Sequence, residues 1–142
     1  MRFADFLDQL RPVLDEVSDT VLVFEHLPST NAYARHLLET LPGDVAPASR
    51  FVLLAFEQTA GRGRRGRSWI GPPGGLYVSW VVPLDRDAPR SSLPLLSAAS
   101  ICEAVRASGV PACEVEWPND LMVGGRKLGG ILIEVVQPAT GV

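Results

Sequence analysis

Lysine is almost missing from this chain: among its thirteen basic residues twelve are arginine and one, Lys127, is lysine. Such a skew fits a background that favours arginine. A lysine retained in it is a candidate for a task that a compact ammonium performs and a planar guanidinium does not. Cysteine is as scarce, with only Cys102 and Cys113 present and no histidine beside them, which argues against a disulfide framework and against a zinc site. They read as packing thiols. No apolar run reaches membrane-spanning length, and charge interrupts Met1-Arg2-Phe3-Ala4-Asp5-Phe6 where a signal peptide would be apolar. The expected location is therefore cytoplasmic, with no membrane partner. His26 and His36 lack partners at catalytic spacing and receive no role.

Strong net charge is absent too. A balance of −3 over 142 residues disfavours nucleic-acid binding by the surface as a whole, so no DNA partner is expected. Hydrophobic residues amount to 46%, enough to bury the core of a single domain over residues 1–142. Against this acidic background stands Gly61-Arg62-Gly63-Arg64-Arg65-Gly66-Arg67-Ser68-Trp69, with four arginines and three glycines in residues 61–67. Glycine permits positive φ and close backbone approach, and each guanidinium brings a fixed charge and a donor fork suited to carboxylate or phosphate. The segment reads as an anion-holding loop, with a solvated basic surface loop as the plain alternative. It satisfies G-x-G-x-x-G, yet the following Ile70-Gly71-Pro72-Pro73-Gly74-Gly75 cannot open the helix on which a dinucleotide pyrophosphate would rest. No Gly-Lys-Ser/Thr closes it as a Walker A loop.

Periodicity predicts a helix through Phe3, Phe6, Leu7, Leu10, Val13, Leu14 and Val17, broken or kinked at Pro12. Val21 to His26 reads as a strand, and Pro28-Ser29-Thr30-Asn31 turns the chain into a helix over 31–41. Phe51 to Phe56, nearly continuous in apolar residues, reads as a central strand covered on both faces. Leu76 to Val82 is a further strand, and Leu93 to Ala107 a helix ended by Gly109. Strands Cys113 to Trp117 and Leu121 to Val123 follow, then a Gly124-Gly125 hairpin and a strand from Arg126 to Val136. The class is α/β or α+β with a mixed sheet.

A second constellation lies in Glu116-Trp117-Pro118-Asn119-Asp120 and Arg126-Lys127-Leu128-Gly129-Gly130. Asn119 and Asp120, placed after a proline at a strand end, are explained by turn chemistry alone, and they are also what a nucleotide or Mg²⁺ site uses. Across the hairpin Lys127 returns towards the same edge. Gly129-Gly130 removes two side chains where a ligand or a packed helix approaches the backbone.

The Gly61 to Trp69 segment, Trp117-Pro118-Asn119-Asp120 and Lys127-Leu128-Gly129-Gly130-Ile131-Leu132, with Ser29-Thr30-Asn31 and Gln58 upstream, resemble the catalytic domain of biotin protein ligases in order and spacing over residues 20–137. The resemblance implies a mixed β-sheet with helices packed on one side, as in class II aminoacyl-tRNA synthetases and biotin ligases. It implies an ATP-dependent ligase that forms biotinyl-5′-AMP and passes biotin to a lysine of a carboxylase's biotin carboxyl carrier domain. Matched position by position, Ser29, Thr30 and Asn31 correspond to the segment at the biotin ureido ring, and Gln58 to the glutamine beside it. Arg62, Gly63 and Arg64 match the loop that orders over biotin and its adenylate. Lys127 matches the lysine near the biotin carboxylate and α-phosphate, and with Arg64 it is the expected catalytic pair. Asn119 and Asp120 correspond to nucleotide-binding positions, Asp120 also to the Mg²⁺ ligand. For Ser29, Thr30 and Asn31 an N-cap with its preceding turn is the local alternative, and both roles can coexist.

Two departures from the family pattern stand out. Glu116 occupies a position where the family usually has lysine, a charge reversal next to a polyanionic site. The chain stops at Val142, before the family's later glycine-rich nucleotide strand and small C-terminal β-barrel, and no helix-turn-helix module precedes it. The expectation is a ligase-only type, shortened at its C-terminus, with a homodimer left open. A lipoate-type ligase or transferase of the same superfamily, or a catalytically incomplete biotin-binding fragment, are the alternatives.

Overall fold

The computed structural model describes residues 1–14, 16, 20–42, 45, 48–85 and 87–137. The chain divides into two compact units, Met1–Leu84 with Val136–Val142, and Asp85–Val135. Each is a layered arrangement of sheet and helix, and together their elements make a mixed α/β protein.

In the first unit β1 (Thr20–Leu27) runs parallel to β2 (Phe51–Arg62), and the crossover between them carries α2 (Thr30–Thr40). Parallel neighbours require such a crossover, because a tight hairpin cannot reverse the chain twice. At twelve residues β2 is the central strand. On its other side β4 (Tyr77–Val81) pairs with the first half and β3 (Ser68–Gly71) with the second, both antiparallel. Its apolar run is buried as expected, with Leu53 and Ala55 fully inaccessible. Phe51, Leu53 and Ala34 of α2 form one core cluster, packed by Phe24, Tyr33, Leu37 and Val81.

Helix α1 (Phe3–Leu14) lays Phe3 and Phe6 on Phe56, with ring centroids 5.9 and 5.4 Å away. Pro12 is inside this helix and does not end it. Proline removes one i→i−4 hydrogen bond, and here it does so one turn from the C-terminus, where few such bonds remain to be lost. Val17, counted above in the same apolar stripe, lies outside the described residues.

The second unit packs α3 (Leu93–Ala107) on an antiparallel meander of β5 (Cys113–Glu116), β6 (Asp120–Val123) and β7 (Arg126–Gly130). Cys102 and Cys113 are buried packing thiols beside Leu121, Val105, Val115 and Val123. Gly124 and Gly125 form the hairpin turn with φ of 55° and 73°, the left-handed geometry that a two-residue turn of this hand demands. Two expectations change. Asn119 and Asp120 do not end a strand; Asp120 opens β6, opposite Glu116 of β5. The strand expected to continue to Val136 stops at Gly130, because Gly130 already faces Asp120, the first residue of β6, and the ladder has no further partner residue. Only Asn119 extends the pairing, accepting from Ile131 N at 2.9 Å and donating its Nδ2 to Ile131 O at 3.0 Å.

Candidate functional site

The residues singled out in the sequence fall into two groups, one in each unit. In the first, β1 leads through Pro28 into Ser29, which caps α2: its Oγ accepts from Ala32 N at 3.4 Å and its carbonyl from Tyr33 N at 3.0 Å. The N-cap reading therefore holds, and it positions the next two residues. Thr30 N donates to Gln58 Oε1 at 2.8 Å and Thr30 Oγ1 to the same oxygen at 3.1 Å. Ser79 of β4 adds its hydroxyl to Thr30 Oγ1 at 2.7 Å and to Asn31 Oδ1. Side chains from the helix N-terminus, the central strand and β4 thus form one continuous network, with Ser29, Thr30 and Ser79 all buried.

The β2 backbone is shaped around Gln58. Between the pairs Gln58↔Gly71 and Gly61↔Trp69, three steps on β2 face two on β3, a β-bulge of the kind that re-aims side chains beside sites. Ala60 N, inside the bulge, donates to Pro28 O at 2.8 Å and so ties it to the segment that carries Ser29. Two glycines clear the space around the glutamine. A Cβ on Gly61 would lie 3.1 Å from Gln58 Nε2, and one on Gly71 would lie 2.9 Å from Gln58 Cβ. With Oε1 taken twice by Thr30, the amide presents its Nε2 donors.

The arginine-rich segment is the tip of the β2–β3 hairpin. Gly63 N donates to Arg67 O at 2.7 Å, a single 3₁₀ turn spans Arg64–Gly66, and Arg65 takes a left-handed φ of 58°. No α-helix follows, in keeping with the rejection of the dinucleotide fingerprint. One expectation needs correction: Arg62 was read as a loop residue, whereas it ends β2, paired with Ser68, because the ladder runs past the bulge before the chain reverses. All four arginines are exposed at this tip. Beside them a groove of about 870 Å³ is lined by Gln58, Gly61, Arg62, Arg67, Trp69 and Gly71. Its size suits a small molecule, and it offers an amide, an aromatic face and cations side by side.

In the second unit the turn and the hairpin bring together the pair anticipated from their spacing: Lys127 Nζ bonds Asp120 Oδ2 in a close ion pair. Gly130 makes room for it, since a Cβ there would lie 3.2 Å from Asp120 Oδ1 and 3.6 Å from Lys127 Nζ. The close approach that Gly129-Gly130 suggested is thus, at Gly130, made by the ion pair itself. Glu116, the charge reversal, faces Asp120 across the strands. Asn119 is buried and spent on Ile131, a structural engagement for its Nδ2. Among the described residues no group of three or more His, Cys, Asp or Glu is placed to hold a metal ion. The expected Mg²⁺ ligand, Asp120, thus offers a single carboxylate, one oxygen of which is bonded to Lys127.

Sequence reasoning missed four contributors. Ser79 was read only as part of a strand, although a serine on the inward face of an apolar strand signals a buried hydrogen bond. Gly61 and Gly71 were read as loop glycines, and their close approaches depend on a strand pairing that spacing does not reveal. His26, given no partner, meets Glu57 across the parallel pair at 2.9 Å, next to Gln58.

A family model described as the biotin/lipoate A/B protein ligase family matches residues 23–142. The bifunctional ligase/repressor BirA of Salmonella typhimurium is 38% identical over 130 residues, covering 90% of this chain and 38% of that protein. The biotin–[acetyl-CoA-carboxylase] ligase of Mycobacterium tuberculosis is 36% identical, with 92% of this chain and 54% of the relative covered. Among solved structures, the biotin protein ligase of Leishmania major in complex with biotinyl-5-AMP superposes with a TM-score of 0.72 and 31% identity, over 84% of this chain and 53% of that one. The chain thus spans roughly two-fifths to a little over half the length of these relatives.

Proposed function

The chain belongs to the biotin/lipoate A/B protein ligase family, and from that premise we propose that it is the biotin-recognising and adenylating part of an ATP-dependent biotin protein ligase. The biotin carboxylate attacks the α-phosphate of ATP, pyrophosphate leaves, and the resulting biotinyl-5′-AMP gives its acyl group to a lysine amine on a carboxylase carrier domain, releasing AMP.

The observation that carries this reading is the polar network of the first group. Ser79, Thr30, Asn31 and Gln58 share three side-chain contacts, Ser79–Thr30, Ser79–Asn31 and Thr30–Gln58. Gln58 Oε1 accepts from both Thr30 N and Thr30 Oγ1, which leaves the Nε2 donors of the amide to a ligand. A cyclic urea suits such a network, because its carbonyl accepts from an outward amide such as Gln58 Nε2 while its N–H groups donate to hydroxyl and amide oxygens. A lipoyl dithiolane offers neither. In the first unit we assign the ureido ring to Ser29, Thr30, Asn31 and Gln58, and the covering of biotin and its adenylate to the hairpin residues Arg62, Gly63 and Arg64; in the second unit we assign Lys127 to the biotin carboxylate and α-phosphate. Asn119 and Asp120 are assigned to the nucleotide side, and Asp120 to Mg²⁺, which when bound would offset phosphate charge.

The chemistry asks for what these residues have. Two anions must be brought together, so fixed positive charge is needed where the pentavalent centre forms, held in a geometry that aligns the attack. Lys127 supplies a point charge, Arg62 and Arg64 supply forks. The mixed anhydride must also be kept from water, a task suited to an exposed hairpin tip that folds over its ligand. The test is pyrophosphate release from ATP. It is expected to require biotin and to fall to background when lipoate replaces it; release that is indifferent to biotin, or stronger with lipoate, would contradict the proposal.

A further inference from the structure

Ser79 stands outside every role assigned above, yet it is the residue through which two of the ring-binding positions meet. It lies on β4 opposite Leu53, pointing into the unit, and is only 6% exposed. Every neighbour on that face of the strand calls for an apolar side chain, since Leu53, Phe51 and Val81 build the core there. A hydroxyl at such a place is costly unless it is hydrogen-bonded. It meets both Thr30 Oγ1, at 2.7 Å, and Asn31 Oδ1.

We propose that Ser79 is a positioning residue for ring recognition: its hydroxyl holds the Thr30 hydroxyl and the Asn31 amide where they receive a cyclic urea. The inference rests on the biotin reading. A threonine hydroxyl rotates to suit its surroundings, and an asparagine side chain has several rotamers. The buried Ser79 hydroxyl contacts both side chains at once and so favours the rotamers that keep them at the start of α2, with Thr30 Oγ1 also 3.1 Å from Gln58 Oε1. One buried hydroxyl on β4 therefore helps to place side chains of α2 beside Gln58 of β2. The strand's role in specificity is carried by a residue that need not touch the ligand.

The experiment compares Ser79→Ala and Ser79→Thr with the unsubstituted chain, by calorimetric titration with biotin and by thermal unfolding. Alanine removes the hydroxyl, and loss of one organising hydrogen bond is expected to weaken biotin binding about tenfold. Threonine keeps the hydroxyl and is expected to restore binding to within about threefold. Both variants are expected to unfold cooperatively. A solely structural role would instead weaken binding in step with stability, and at least as much in Ser79→Thr, whose added methyl must be packed, as in Ser79→Ala. Weakening by threonine equal to or greater than that by alanine, or an alanine variant that binds biotin as the unsubstituted chain does, overturns the proposal while leaving the biotin reading intact. Failure of the unsubstituted chain to bind biotin overturns both. Should Ser79→Ala not fold, Ser79→Cys preserves the shape with a weaker donor, and undiminished biotin affinity in it is likewise contrary to the proposal.

Discussion

Replacing Lys127 with arginine is expected to lower biotin-dependent pyrophosphate release by about a hundredfold or more, with the fold unaffected. Lys127 is the second residue of β7, partly exposed and paired with Asp120, so the backbone asks nothing particular of its side chain. Arginine keeps the charge and is the cation this chain uses everywhere else. If Lys127 served only an exposed ion pair, the exchange would be nearly silent, since such pairs contribute about 0–1 kcal/mol. At a phosphoryl centre the outcome differs. A guanidinium is wider than an ammonium, prefers to grip a carboxylate with two parallel bonds, and would settle on Asp120 and not on the transferring phosphate. A displacement of about 1 Å in the charge is enough to remove orders of magnitude in rate. The assay is pyrophosphate release under saturating biotin and ATP, with far-ultraviolet circular dichroism as the check on folding. Undiminished turnover by the arginine variant would remove Lys127 from the chemistry.

Gly61→Ala is expected to damage stability and recognition together. The added Cβ would lie 2.6 Å from the carbonyl oxygen of Trp69 and 3.1 Å from Gln58 Nε2. The first contact is with backbone on the partner strand, and relieving it requires the two strands of the hairpin to separate at their Gly61↔Trp69 pair. Overpacking of this kind costs about 1–3 kcal/mol. The second contact displaces the amide assigned to the biotin ring. Gly63→Ala, in the same hairpin, is the control for folding: its φ of −109° suits any residue, and its Cβ would meet Arg67 O at an ordinary 3.5 Å. Denaturant midpoints should therefore fall for Gly61→Ala and remain in place for Gly63→Ala. Equal midpoints for Gly61→Ala and the unsubstituted chain would show that the hairpin yields without cost and that Gly61 does not set its geometry.

Much of this was legible in the residues. The helix Leu93–Ala107 is bounded as its apolar spacing and Gly109 predict, and the Gly124-Gly125 turn sets the pairs Val123↔Arg126 and Met122↔Lys127. Local chemistry determines such features, and local chemistry is what a sequence displays. The register shift between Leu121 and Met122, beyond which Lys127 reaches Asp120, was not legible. The pairing partners of β2 were not legible either. Nothing in Phe51 to Arg62 says that Ser79 will face Leu53 or that the ladder to β3 will shift at Gln58, since both depend on contacts between distant segments. For the same reason the Arg62 to Arg67 stretch reads from its residues as an anion-holding loop, and only strand pairing shows it to be a hairpin end. The strand past Gly130 was overestimated because an apolar run reports burial, whereas a strand also needs a partner backbone.

The central claim is that the first unit recognises biotin through its ureido ring, and calorimetric titration of the chain with biotin, with lipoate and with ATP tests it most directly. The account predicts that biotin binds, more tightly than ATP, and that lipoate binds far more weakly than biotin. Lipoate bound as tightly as biotin, or ATP bound more tightly than biotin, would contradict it.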